Sequence, residues 1–182
     1  MQSAALDLNQ LCLSCGLCCN GVIFADVKLQ SGDDASRLRA LGLPVTQPQV
    51  RRNQPRFVQP CAALDGCRCR AYAERPQHCR QFECVLFKSV AAGRTEPSAA
   101  LRLVRTAHKR AEKVRTLLRE LGDNDEHLSL GLRFRRTARR IQQSELEETT
   151  AATFGELTLA VHDLNLLISQ AFYPGDSSSD TQ

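Results

Sequence analysis

Cys12-Leu13-Ser14-Cys15-Gly16-Leu17-Cys18-Cys19 is the stretch on which the reading of this 182-residue chain turns. A CxxC turn lets two sulfurs converge on one ion while backbone amides hydrogen-bond to them, and Gly16 supplies the tight turn. The CxxCxxC spacing also matches the start of a bacterial ferredoxin run, which chelates an iron–sulfur cluster. The usual fourth member, a Cys followed by Pro, is missing, and Cys19 abuts Cys18 instead. Adjacent side chains are expected to point apart. The pair therefore predicts more than one metal, or a bridged polynuclear centre.

Working outward, all nine cysteines lie between Cys12 and Cys84, and none falls in the 98 residues that follow. Such density belongs to disulfide scaffolds or metal sites. Met1 to Asp7 lacks the basic and apolar regions of a secretory signal, and no run of about 18 apolar residues exists to span a bilayer. A cytoplasmic protein without a membrane segment is expected. A reducing cytosol then favours metal over disulfides.

The second cysteine group is Cys61, Cys67, Cys69, Cys79 and Cys84. Cys61 precedes Leu64-Asp65, Cys69 leads into Tyr72 and Arg75-Pro76, and Cys79-Arg80 is followed by Phe82 and Cys84. With the CxxCxxCC stretch in front, this order resembles the YkgJ-type CxxCxxCC cysteine-cluster family, which chelates zinc or iron. The resemblance covers about residues 8–90 and implies metal ligation by Cys12, Cys15, Cys18, Cys19, Cys61, Cys69, Cys79 and Cys84. Cys67 falls outside the pattern and is read as a spare thiol or additional ligand. The metal is left open between zinc and iron, an iron–sulfur cluster included.

The segment is also similar to the cysteine-rich part of flagellin lysine N-methylases, which brings in protein-lysine methyl transfer or redox chemistry as an alternative. Against it, no Gly-rich nucleotide loop follows a strand, and no nucleophile–base pair stands out. A closed all-cysteine set suits a structural or storage role better than catalysis. No enzyme is expected. Eight thiolates around two divalent ions leave a net charge of about −4, which calls for nearby cations. Arg68, Arg70, Arg75 and Arg80 lie among the ligands, and Arg75 and Arg80 are the candidates to sit behind the sulfurs. His78, beside Cys79, is read as a surface histidine. Tyr72 is read as core, and His108, His127 and His162 as bundle or surface residues.

These features predict an α+β protein: a cysteine-rich chelating domain over 1–93, a three-helix extension over 94–174 and a disordered tail over 175–182. In the front segment, Gly21–Val27 reads as a strand, Asp33 or Asp34 as the cap of a helix ending near Leu41, and Pro44–Pro60 as irregular loop. Pro76 suits the first turn of a helix from His78 to about Lys88. Leu101, Val104, Ala107, Ala111, Val114, Leu118 and Leu121 mark a helix that Gly122 stops. Further helices are expected over about 126–143 and 144–172.

Charge divides along these helices. Residues 98–140 carry 12 Lys/Arg against 5 Asp/Glu, while residues 141–182 carry 7 Asp/Glu and no Lys or Arg. A basic helix pair can bind phosphates, but the cancellation favours basic and acidic helices packing on each other. Metal ions are the expected partners, with a protein partner on the helices ahead of nucleic acid. A zinc-stabilised adaptor for protein or nucleic acid is the remaining alternative.

Overall fold

A computed structural model describes residues 8–46, 54–143 and 147–173. The expected tail from 175 lies outside the described residues. The fold is mixed α+β, with small antiparallel sheets in front and long helices behind.

The front half begins with helix α1 (Leu8–Leu13), whose last turn carries Cys12. Strand β1 is Asp26–Lys28, later than the expected Gly21–Val27, because residues 14–22 are spent on turns. It pairs antiparallel with β2 (Arg56–Val58), Val27 facing Phe57 across the ladder. The stretch expected to be irregular thus supplies a strand, and its residues 47–53 lie outside the described ones. Between the two strands, Asp34 caps helix α2 (Ala35–Ala40) by accepting the Arg37 amide. Its neighbour Asp33 instead accepts from the amides of Gln30 and Gln77.

A two-residue ladder, β3 (Leu64–Asp65) with β4 (Arg68–Cys69), follows. The single helix expected from His78 to Lys88 is two: α3 (Gln77–Gln81) and α4 (Val85–Ala91). Phe82 and Cys84 adopt extended backbone between them, and the Cys84 sulfur accepts the Phe87 amide as the cap of α4. A side chain that can satisfy the first free amides starts a new helix where periodicity alone would continue the old one.

Helix α5 (Pro97–Glu120) opens on Pro97, whose missing N–H costs nothing in the first turn. Helix α6 (Leu130–Gln142) starts later than expected, and α7 (Glu148–Ala171) completes the extension. Residues 144–146, where the third helix was expected to begin, are not among those described. Between α5 and α6, Asp123 is held by Arg133, with Nε to Oδ1 at 2.8 Å and both side chains buried.

Two apolar clusters organise the molecule. In one, Val104, Ala107, Ala111, Val114 and Leu118 of α5 meet Leu157, Leu164 and Ile168 of α7, and Leu11, Leu17 and Leu86 of the front half join them. Each buried Leu contributes roughly 1.5–3 kcal/mol. The other cluster gathers Val27, Leu29, Leu38, Leu43, Val45, Phe57, Ala63 and Ala71 around the β1–β2 ladder. The cysteine loops lie where these clusters meet, and Cys15 and Cys84 border the first while Cys61, Cys69 and Cys79 border the second.

Candidate metal centre

The loop after α1 is wound by its own backbone. The Cys15 amide bonds the Cys12 carbonyl at 3.1 Å, and the Cys19 and Asn20 amides both reach the Gly16 carbonyl. Gly16 has φ of +62°, and a Cβ there would lie 3.3 Å from Cys67 Cα. Only glycine allows both the left-handed turn and that approach. Leu17, fully buried, pins the loop into the helical cluster. From the other side, the Cys61 amide donates to the Cys19 carbonyl at 2.8 Å, stitching the second cysteine group to the first.

All nine cysteines are free thiols, and Cys12 alone among them is well exposed. Cys18 acts electrostatically on two neighbourhoods: Cys12, Cys15 and Cys84 on one side, and Cys19, Cys61 and Cys79 on the other, where Cys69 also acts on Cys61 and Cys79. Desolvation by the surrounding chain chiefly pushes the thiols of Cys15 and Cys79 up to about 12, and that of Cys12 up to about 11 although the residue as a whole is exposed, with neighbouring thiols adding to the effect. Cys61 and Cys84 are raised for the same leading reason.

Cys18 and Cys19 join the two neighbourhoods. Their sulfurs lie 3.7 Å apart in a hydrogen bond, contrary to the expectation that adjacent side chains diverge. The tight winding of residues 16–20 turns both sulfurs to one side. Sharing that proton favours ionisation of Cys18, lowered to about 7, and holds the proton on Cys19. Among the described residues, no three His, Cys, Asp or Glu side chains stand together at ligating geometry. The sulfurs must therefore draw in to hold an ion. The donor set, half-buried apart from the exposed Cys12 and wholly sulfur, fits zinc or iron.

Positive charge reaches this basin from Arg75, which favours the ionised forms of Cys12, Cys18 and Cys79. Its guanidinium lies 3.7 Å over the Tyr72 ring, and its Nε donates to the Tyr72 carbonyl. Tyr72 is thus an exposed platform for Arg75, 55% accessible, where a core residue was expected. Arg80 and Arg68 are exposed, and Arg70 is exposed and donates to the Ala62 carbonyl.

His78 is half-buried: its ring meets Phe24 edge-on at 5.3 Å and stacks on Phe82 at 6.3 Å, with Nε2 buried and without a hydrogen-bond partner among the described residues. Two further residues meet the cysteine loops, a role the sequence reading did not give them. His108 Nε2 lies 2.7 Å from the Cys15 carbonyl, tying α5 to the cysteine loop; its place beside the apolar stripe, next to Ala107, was the available signal. Phe172, 1% exposed, accepts the Val85 amide through its carbonyl and lines a cleft with Cys12, Cys15, Cys18 and Cys84. Nothing in its sequence surroundings announces that role.

A basin of reduced thiols backed by an arginine defines a metal-chelating cysteine-cluster protein. The chain belongs to the CxxCxxCC family, described as a putative zinc- or iron-chelating domain, whose family model matches residues 11–112, more than half of its length. No curated protein and no solved structure matches it. No helix among the described residues is long and apolar enough to cross a membrane.

Proposed function

We propose that this protein chelates two metal ions, zinc or iron, in adjoining four-sulfur sites. Cys12, Cys15, Cys18 and Cys84 serve one ion, and Cys19, Cys61, Cys69 and Cys79 the other. The observation that carries this reading is the 3.7 Å contact between Cys18 and Cys19 at the junction of the two neighbourhoods. Should the metal be iron, the same eight cysteines would hold a cluster whose sulfide is supplied together with the iron. Arg75 offsets part of the thiolate charge from behind.

With every position filled by sulfur, the centre has a holding role, for storage, delivery or structure, and no reaction is assigned to it. Nine unpaired cysteines suit a reducing compartment such as the cytoplasm. Elemental analysis of anaerobically purified protein tests the proposal. Zinc near two per chain supports paired four-cysteine sites. Iron with acid-labile sulfide makes it a cluster protein. No metal, with all thiols titratable, refutes chelation.

A further inference from the structure

Helices α5 and α7 are each 24 residues long and share one apolar cluster, yet their outer faces differ. The exposed positions of α5 are mostly charged, among them Arg102, Arg105, Lys109, Glu112, Lys113 and Arg119. Along the face of α7 turned away from α5, the exposed residues are Ala152, Gly155, Leu159, His162, Leu166 and Ser169. Leu159 is 68% accessible and Leu166 46%. Glu156, beside this stripe, is drawn toward Lys113 of α5. The six residues recur at alternating steps of three and four, the spacing of a coiled-coil seam. A helix without a charged outer face is ordinarily covered on both sides. Gly155 sharpens the point. Inside a helix it costs about 1 kcal/mol relative to Ala, and a Cβ there would meet nothing within 4 Å among the described residues. No neighbour within the chain calls for a glycine at that place. A side chain arriving from outside does.

The stripe's own symmetry names the occupant. Laid antiparallel on itself about a two-fold axis between residues 160 and 161, it sets Gly155 opposite Leu166, Leu159 opposite His162 and Ala152 opposite Ser169. Each of these contacts then occurs twice, as in an isologous interface, and the side chain of Leu166 enters the space that Gly155 leaves. A parallel pair would set Gly155 against Gly155 and His162 against His162, with a gap at one layer and two imidazoles at another. Residues 175–182 hold only Gly, Asp, Ser, Thr and Gln, so that segment has no apolar side chain to lay over the leucines. We infer that α7 is a dimer interface, on which a second copy of this chain docks through Gly155, Leu159, His162 and Leu166 in antiparallel register. A helix of 24 residues is roughly 36 Å long, and one helix pair of that length buries an area at the low end of specific interfaces. The dimer therefore dissociates on dilution in the micromolar range. The axis leaves the two Phe172 residues, and the cysteine clefts they line, roughly 35 Å apart along the helices. Each metal centre stays within its own chain, and the pairing is independent of which ion the thiols hold.

Sedimentation equilibrium of the full-length protein under reducing conditions tests this, over a range of concentrations and with metal content measured in the same samples. The mass should rise with concentration from 20.2 kDa toward twice that value. Leu159→Lys should hold it at the monomer mass with an unchanged far-ultraviolet helical signal. Should that variant lose helix, Leu166→Lys takes its place with the same expectation. Adding His162→Glu to Leu159→Lys sets opposite charges across both equivalent layers of the antiparallel pair and should restore the dimer, whereas in a parallel pair like charges would meet. A parent that stays monomeric throughout, a dimer that Leu159→Lys leaves intact, or a folded double variant that stays monomeric overturns the inference.

Discussion

Arg75 is the residue at which charge and loading meet. Its guanidinium favours the thiolate forms of Cys12, Cys18 and Cys79, whereas burial drives the thiols the other way. Metal takes thiolates, so each ligand must shed its proton on loading and affinity falls as pH falls. Removing Arg75 leaves these thiols harder to ionise. Arg75→Gln should therefore shift the pH of half-maximal zinc loading upward. A zinc titration across pH checks this, and a shift downward or none at all rules the role out. The Cys18–Cys19 pair shows where residue-level expectation fell short. Alternation of side chains holds along a regular element, but residues 16–20 are wound by two amides onto one carbonyl, and that bend brings the sulfurs together.

Among the elements, α5 was plain in the sequence because seven apolar residues recur at helical spacing and a glycine closes the run. Helix α2 was legible for a similarly local reason, the acceptor side chain of Asp34. The β1–β2 ladder was not: it joins residues about thirty positions apart, and β2 is three residues in a stretch rich in Pro and Gln. The break between α3 and α4 was hidden because Cys84 was read only as a metal ligand, while its sulfur is also a helix cap. The cysteine positions in the order of the CxxCxxCC family were legible; the contact between the Cys18 and Cys19 sulfurs was not, since it depends on how the loop closes.

The buried Asp123–Arg133 pair fixes how α6 meets the end of α5, and it too escaped a sequence reading that saw only a basic helix. Its side chains are 5% and 2% exposed. Removing one partner strands the other charge. Asp123→Ala should lower stability by about 3–5 kcal/mol, while Asp123→Leu with Arg133→Met should cost much less. Chemical denaturation of the single and double variants measures both, and a single variant as stable as the parent would contradict the buried pair.

At the scale of the whole molecule, the two apolar clusters differ in what supports them. The helical cluster joins two 24-residue helices along their length. The strand cluster rests on eight residues with cysteines at its border, and small domains of that kind lean on metal for their fold. Exhaustive chelation should therefore abolish amide-exchange protection around Val27 and Phe57 while sparing most of the far-ultraviolet helical signal. An unchanged exchange pattern after metal removal would show that the strand cluster stands without the ions. The bond from His108 to the Cys15 carbonyl is the point at which such loosening would reach α5.

Phe172 lines the same cleft as Cys12, Cys15, Cys18 and Cys84, and it is made late. A ribosome completes Cys84, the last of the thiols, 88 residues before it reaches Phe172. At about 5–20 residues per second, that interval lasts roughly 4–18 s. Throughout it the nascent thiols stand finished without Phe172 beside them, and whichever ion or oxidant is at hand meets them first. The supply around the growing chain, as much as the affinity of the folded site, then governs what each copy of the protein carries.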